Sequence, residues 1–370
     1  MKILAIETSC DDTAIALAQC QTNSFKLLSS VVSSQNEIHK KYGGIYPSLA
    51  RREHQKNLVP VLEEALKKNS ISNSQLSDNY QLNNFQVKKI KKILERENIT
   101  KIQLLDFLKR HKKPNIAIIA VTKGPGLEPC LWTGVNFAKA LSCAWNIPAI
   151  GINHIEAHIF TGFLKKEVKI QKVKQGFPAI ALIASGGHTQ LIFVEKIGRY
   201  KIIGETRDDA AGEAFDKIAR ILGLGYPGGP KIEKTAKNAP DCKIKLPRPM
   251  INSKNYDFSF SGLKTAVLYK YNKNKAPGMA KEAQQAIIDV LIKKTLKAAK
   301  SFRVKNIIIG GGVSANQELR KQFQNKIGKD FNLRFPLPAF STDNAAMVAL
   351  CACLKNKKSD KLIAEANLRL

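Results

Sequence analysis

The sequence predicts an α/β protein of two lobes, built from a duplicated unit with a ligand cleft between the halves. Three observations carry this. Lys2–Ala18 reads as strand, polar turn (Ser9-Cys-Asp-Asp12) and strand, and Pro178–Val194 repeats that plan around Ser185-Gly-Gly-His-Thr189. Helical stretches follow each copy, as expected where helices cover a sheet. A chain of 370 residues also exceeds the usual reach of one hydrophobic core. The lobes are expected at 1–150 and 151–370, with the last helix returning to the first lobe. In such a fold the two turns face each other and hold a phosphorylated ligand.

In order, Lys2–Thr8 and Thr13–Ala18 form a hairpin, and Lys26–Ser33 a third strand. Gln55–Lys68 is helical, with Leu58, Val59, Leu62 and Leu66 on one face. Asn69–Lys113 then shifts composition, with ten Lys and Arg against four Asp and Glu. Its two amphipathic patterns, Val87–Leu94 and Ile102–Leu108, read as an inserted helical module, the second opened by a Thr100-x-x-Gln103 capping box. Asn115–Val121 is a buried strand, Gly134–Ala144 a helix, Ala149–Ile152 a strand and Ile155–Leu164 a helix. Ile307–Asn316 is strand, glycine-rich loop and helix start, although its spacing fits neither the dinucleotide nor the phosphate-loop fingerprint.

Sixty Lys and Arg against thirty Asp and Glu give a net charge of +30, which favours a nucleic-acid partner. Aromatic residues are sparse within the basic runs, so no stacking platform is indicated. No apolar run reaches the roughly 18 residues that span a bilayer, and Glu7 with Asp11-Asp12 interrupts the N-terminal run before it resembles a signal peptide. The seven cysteines are odd in number and lack any Cys-x-x-Cys pair, consistent with mostly buried, reduced thiols in a cytoplasmic protein.

His154 and His158 lie four apart in a chain with six histidines, so one helix face brings both imidazoles to one metal ion. Asp343, between Phe340 and a helix beginning near Ala345, is either an N-cap or a third ligand. Two imidazoles and a carboxylate suit zinc or ferrous iron. Glu156, about 200° around the helix from His154, points away from such an ion. That excludes the metalloprotease pattern, in which a glutamate directly after the first histidine activates water.

These stretches occur together and in order with Ile6–Thr13, Asp208–Lys217, Tyr226–Pro230, Phe258–Lys264 and Gly311–Asn316. The chain thereby resembles the tRNA threonylcarbamoyladenosine transferases, the TsaD family of the actin/Hsp70-like ATPase (ASKHA) fold, once labelled O-sialoglycoprotein endopeptidases. The resemblance implies a two-lobed fold around a nucleotide cleft. It implies transfer of a threonylcarbamoyl group from threonylcarbamoyl-AMP to the N6 amine of adenosine 37, in tRNAs that read codons beginning with A. His154, His158 and Asp343 would bind one divalent metal ion per subunit, iron or zinc. Ile183, Ala184, Ser185, Gly186 and Gly187 would cradle the phosphate and carbamoyl groups. Asp216, Gly229 and Asn316 would bind the nucleotide part, in a site also able to accept ATP or AMP. Glu233 matches a ribose-contacting acid of the archaeal and eukaryotic branch, and Asp11 would act as polariser or proton acceptor.

Ile183 replaces the metal-linked tyrosine of that branch, and Ser-Gly-Gly-His-Thr is the bacterial form of the loop. The implied partners are tRNA, a TsaB-like paralogue and a TsaE-like ATPase in a hetero-oligomer, with no membrane. The competing readings are an actin-fold ATPase or kinase, a zinc metalloprotease, and a non-enzymatic RNA-binding scaffold. The 69–113 module and Gly124-Pro-Gly-Leu-Glu-Pro-Cys130 depart from the family's pattern and bear on partner surfaces rather than on chemistry.

Overall fold

The computed structural model describes residues 1–68, 82–240, 244–271, 276–355 and 362–370. Part of the 69–113 module and Cys242 therefore lie outside the described residues. A six-stranded sheet holds β1 (Lys2–Glu7), β2 (Asp12–Cys20), β3 (Ser24–Ser34), β4 (Ile118–Gly124), β5 (Ala149–Asn153) and β6 (Glu167–Lys169), in the order β5-β4-β1-β2-β3-β6. A five-stranded sheet holds β7 (Ala179–Ala184), β8 (Thr189–Lys196), β9 (Arg199–Glu205), β10 (Asn306–Gly310) and β11 (Asn332–Arg334), ordered β11-β10-β7-β8-β9. The duplication is thus literal. Each sheet has an antiparallel three-strand meander whose first strand also pairs in parallel with a strand that follows a helical crossover.

The helices are α1 (Asn36–Lys40), α2 (Pro47–Lys67), α3 (Asn84–Ile93), α4 (Asn98–Arg110), α5 (Glu128–Trp145), α6 (His154–Phe160), α7 (Ile170–Lys174), α8 (Ala211–Ile221), α9 (Gly228–Ala236), α10 (Ser261–Lys270), α11 (Ala276–Ser301), α12 (Gln317–Ile327) and α13 (Ala345–Lys355). Alternation along β1 sends Leu4 and Ile6 into a core with α2 and α5, and Ile3 and Ala5 into a core with α6 and α13. That second face is lined by Ala5, Ala14, Ala16 and Ala18, small enough for the alanine-rich α13 to lie close. The last helix therefore covers the first sheet, and it brings Asp343 with it. Its N-cap is Asn344, whose Oδ1 accepts from the Met347 amide at 3.0 Å. Asp343 is thereby free of the capping role.

Two expectations are corrected, and one pair of cysteines departs from the reduced state that most of them keep. Helix α2 begins at Pro47 rather than Gln55, because proline suits the first helical turn and the polar stretch after it carries Ala50 and Glu53 inward. Thr100-x-x-Gln103 is no capping box. It lies inside α4, and its side chains donate to the Gln55 and Lys56 carbonyls of α2. The capping box of the module belongs to Asn83 and Gln86, at the start of α3. Finally, Cys20 and Cys353 form a disulfide across 333 residues, a pairing no local spacing signals, while Cys10, Cys130, Cys143 and Cys351 remain thiols.

Candidate active site

Between the two sheets lies a cleft of about 750 Å³, ample for a nucleotide. The strand-to-strand turns of both halves face it, through Ser9–Asp12 on one side and Ser185–His188 on the other. At its floor stands the His-His-Asp group. Asn153 caps α6 by accepting from the Glu156 amide at 3.0 Å, which starts the helix where His154 enters the cleft. One turn later His158 follows, wholly buried, with its ring edge-on to His154 at 4.6 Å. Asp343 Oδ1 sits 3.0 Å from His158 Nε2 and 3.6 Å from His154 Nε2. One ligand atom from each residue lies within 4.8 Å of the others, the geometry of a three-ligand metal site.

The surroundings suit that role. His154 Nδ1 is 3.2 Å from both Glu7 Oε2 and Ser9 Oγ, which leaves Nε2 turned to the cleft. Glu7 itself accepts from the Ser9 amide at 2.6 Å and from Thr122 Oγ1 at 2.5 Å. Burial opposes ionisation of Asp343, but the charges of His154 and His158 hold its carboxyl well below the usual range. Burial alone would lower His154, and the carboxylates of Asp343 and Glu7 instead raise it to about 9. Such mutual charge is what a cation would replace.

Asp11 lines the cleft, its carboxyl pushed up to about 6 by burial and then by Asp343. A group near that value exchanges protons at neutral pH. The neighbouring Cys10 thiol is pushed well above its usual range by burial and by Asp11, so it is no nucleophile. Glu156 faces the opposite way, into a buried pocket. It accepts from Tyr200 Oη at 2.8 Å and pairs with Lys355. Neither metal nor water in the cleft can reach it.

The second-lobe wall is built from close approaches. Gly311 has φ +82°, and a side chain there would meet the Ala184 carbonyl at 2.4 Å. At Gly186, Gly187 and Gly229, by contrast, nothing lies within 4 Å of where a side chain would begin, so backbone faces open space. Asp216 Oδ1 accepts from the Gly228 amide at 2.6 Å, and burial pushes its carboxyl up to about 6. Glu233 Oε1 accepts from the Gln317 amide at 2.6 Å, bridging α9 to the start of α12. Asn316 caps α12 through Leu319 and donates to Gln284 Oε1, so its side chain already holds the wall together.

Of the residues singled out in the sequence, Asp11, His154, Ser185, Gly186, Gly187, Asp216, Gly229, Glu233, Asn316 and Asp343 line the cleft. His158 sits directly behind His154. Ile183 and Ala184 do not reach the cleft. Both are fully buried in β7, where Ile183 packs beneath Gly310. Sequence reasoning assigned no role to Glu7, Arg220 or the Gly43-Gly44-Ile45 loop, all of which line or support the cleft, whereas Ser9 and His188 belong to the two turns expected there. An acidic residue ending an otherwise apolar strand was the available signal for Glu7.

The fold is shared with HypF. HypF of T. kodakarensis superposes with a TM-score of 0.57 at 12% identity, over 95% of this chain and 47% of that one. A full-length HypF in its phosphate- and nucleotide-bound form gives 0.51 at 10% identity, over 95% and 54%. Fold and site together define an actin/Hsp70-like (ASKHA) protein whose cleft is floored by a histidine–carboxylate centre. Within that class the chain belongs to the TsaD family, the tRNA N6-adenosine threonylcarbamoyltransferases, whose family model matches residues 26–78 and 103–350. The enzyme of that name from Thermosipho africanus is 42% identical over 365 residues, 97% of this chain and 95% of the relative. That of Bacillus subtilis is 39% identical over 367 residues, 97% and 91%. Residues 79–102, which fall outside the family match, contain the whole of α3.

Proposed function

We infer that this protein transfers threonylcarbamoyl from threonylcarbamoyl-AMP to N6 of adenosine 37 in tRNAs reading codons that begin with A. The observation that carries the reading is the His154–His158–Asp343 cluster at the floor of a cleft with two opposed Ser-containing turns. The donor set fits iron or zinc, and His154 is backed by Glu7 in the way that ligating imidazoles are held. A divalent ion held there supplies Lewis acidity and orientation for the donor's oxygens.

The chain's own residues account for the rest. Gly186 and Gly187 present open backbone to the phosphate and carbamoyl groups, in a turn that the Ser185 amide closes by donating to the His188 carbonyl at 2.8 Å. Asp216, Gly229 and Glu233 face the nucleoside, and Asn316 holds the α12 terminus beside it. The amine attacks the carbamoyl carbon, a C–N bond forms, and the C–O bond to AMP breaks with its electron pair leaving on AMP. Asp11 takes the amine proton. The basic surface holds tRNA through its phosphates, and the enzyme works in the cytoplasm with TsaB-like and TsaE-like partners. No helix among the described residues is long and apolar enough to cross a membrane. The α3–α4 module is assigned to partner or tRNA contact.

The test combines purified protein, partners, threonylcarbamoyl-AMP and unmodified tRNA, followed by nucleoside analysis. Modified adenosine is expected, with His154→Ala and Asp343→Ala at least roughly 100-fold slower and depleted of metal. Absence of product from the wild type overturns the reading.

A further inference from the structure

Between α1 and α2 the chain crosses the mouth of the cleft as Lys41-Tyr-Gly-Gly-Ile-Tyr46, and Gly43, Gly44 and Ile45 line the cleft itself. The two tyrosines flanking this lining lie outside it. Their rings stack on each other with centroids 6.1 Å apart and planes 28° apart. Both are unusually bare, Tyr42 at 62% and Tyr46 at 58% exposure. Stacked, exposed aromatic rings beside a reaction cleft bury little of their own surface and present a flat π-face to solvent.

The loop carrying them is held from both sides. The Tyr46 amide donates to His39 Nδ1 at 3.3 Å, while His39 Nε2 lies 3.1 Å from Gln35 Oε1. Burial keeps His39 below its ordinary pKa, which matches a neutral ring that accepts at Nδ1 and donates at Nε2. From the other lobe, Arg220 of α8 donates to the Gly43 carbonyl. The pair therefore sits on a braced loop rather than a free one. Lys41, next to Tyr42, is exposed, as is Lys40, which pairs with Glu37 at 3.4 Å, in a chain of net charge +30.

We propose that Tyr42 and Tyr46 form a stacking platform for an unpaired RNA base adjacent to the adenosine that enters the cleft. This rests on the tRNA-modifying reading and deepens it. Every base offers a π-face, and neighbouring cations suit the flanking phosphates, so an aromatic pair in a basic rim selects a single-stranded nucleic-acid loop. The sequence concealed the pair because the two tyrosines stand singly on either side of Gly43-Gly44-Ile45, and only the turn brings the rings together.

Steady-state transfer with Tyr42→Ala, Tyr46→Ala and the double variant tests the assignment. Because both rings are exposed, circular dichroism should show unchanged folding. The KM for tRNA is expected to rise roughly 5- to 100-fold, with kcat and the KM for threonylcarbamoyl-AMP unchanged, and Phe at both positions should restore it. A wild type that makes no modified adenosine sinks the functional reading and the platform with it. A wild type that modifies tRNA while the alanine variants keep its KM sinks the platform alone, including the case in which they lose only a protein partner.

Discussion

His154 owes its orientation to a glutamate that never reaches the cleft. Glu7 is fully buried, and its two oxygens are shared among Ser9, Thr122 and His154. Glu7→Gln keeps the shape but removes the charge that favours Nδ1–H on His154. Metal affinity should fall roughly 10- to 100-fold, measurable by competition with a chelator even where no transfer is assayed. A second histidine sets a pH limit. His54 accepts from Thr13 Oγ1 at Nδ1 (2.8 Å) and donates from Nε2 to the Cys10 carbonyl (3.0 Å), which ties α2 to the first turn. Burial lowers its pKa from 6.5 to about 4. Between those values the unfolded chain binds the extra proton, so stability should drop as pH falls from 6.5 towards 4. Urea midpoints across that range should decline, and less steeply in His54→Gln. The histidine pair on α6 was legible in the sequence because helical spacing alone unites it. Asp343 was not separable from an N-cap until Asn344 was seen to occupy that position.

At the scale of elements, the α3–α4 module is anchored by side chains that mend neighbouring helices. Pro60 inside α2 has no amide hydrogen, so the Lys56 carbonyl loses its usual donor, and Gln103 Nε2 supplies one at 3.3 Å. Gln86 Nε2 donates to the Cys143 and Ala144 carbonyls at the end of α5. Gln103→Ala and Gln86→Ala should each cost about 1 kcal/mol in urea unfolding, with transfer unchanged for the folded enzyme. The module's helices could be read from their apolar period, but its anchoring could not. Thr100 and Gln103 match a capping pattern, and only tertiary contact shows them bonded to α2 instead. Strands β6 and β11 escaped for a related reason. Each has three residues at a sheet edge, too short for alternation to register.

For the whole molecule, the duplicated sheets place two turns across one cleft, and this much followed from the repeated strand–turn–strand pattern. The charge adds a measurable expectation. If about four phosphates are neutralised, tRNA affinity should fall roughly 100-fold between about 50 and 200 mM salt, while the affinity for uncharged adenosine stays level. A flat salt response would mean that the lysine excess is dispersed rather than directed at RNA.

The position of α13 also governs when the molecule can become itself during synthesis. The strands it covers are made first and the helix is made near the end, so the alanine-lined face of β1 and β2 waits about 330 residues of translation for α13 to close over it. A ribosome stalled before Asp343 holds a polypeptide with both histidines, but without the carboxylate of the proposed centre or the helix that completes this core. Such nascent chains are natural clients for chaperones. On the proposed ligand set, the same late arrival leaves the centre incomplete until Asp343 has been made.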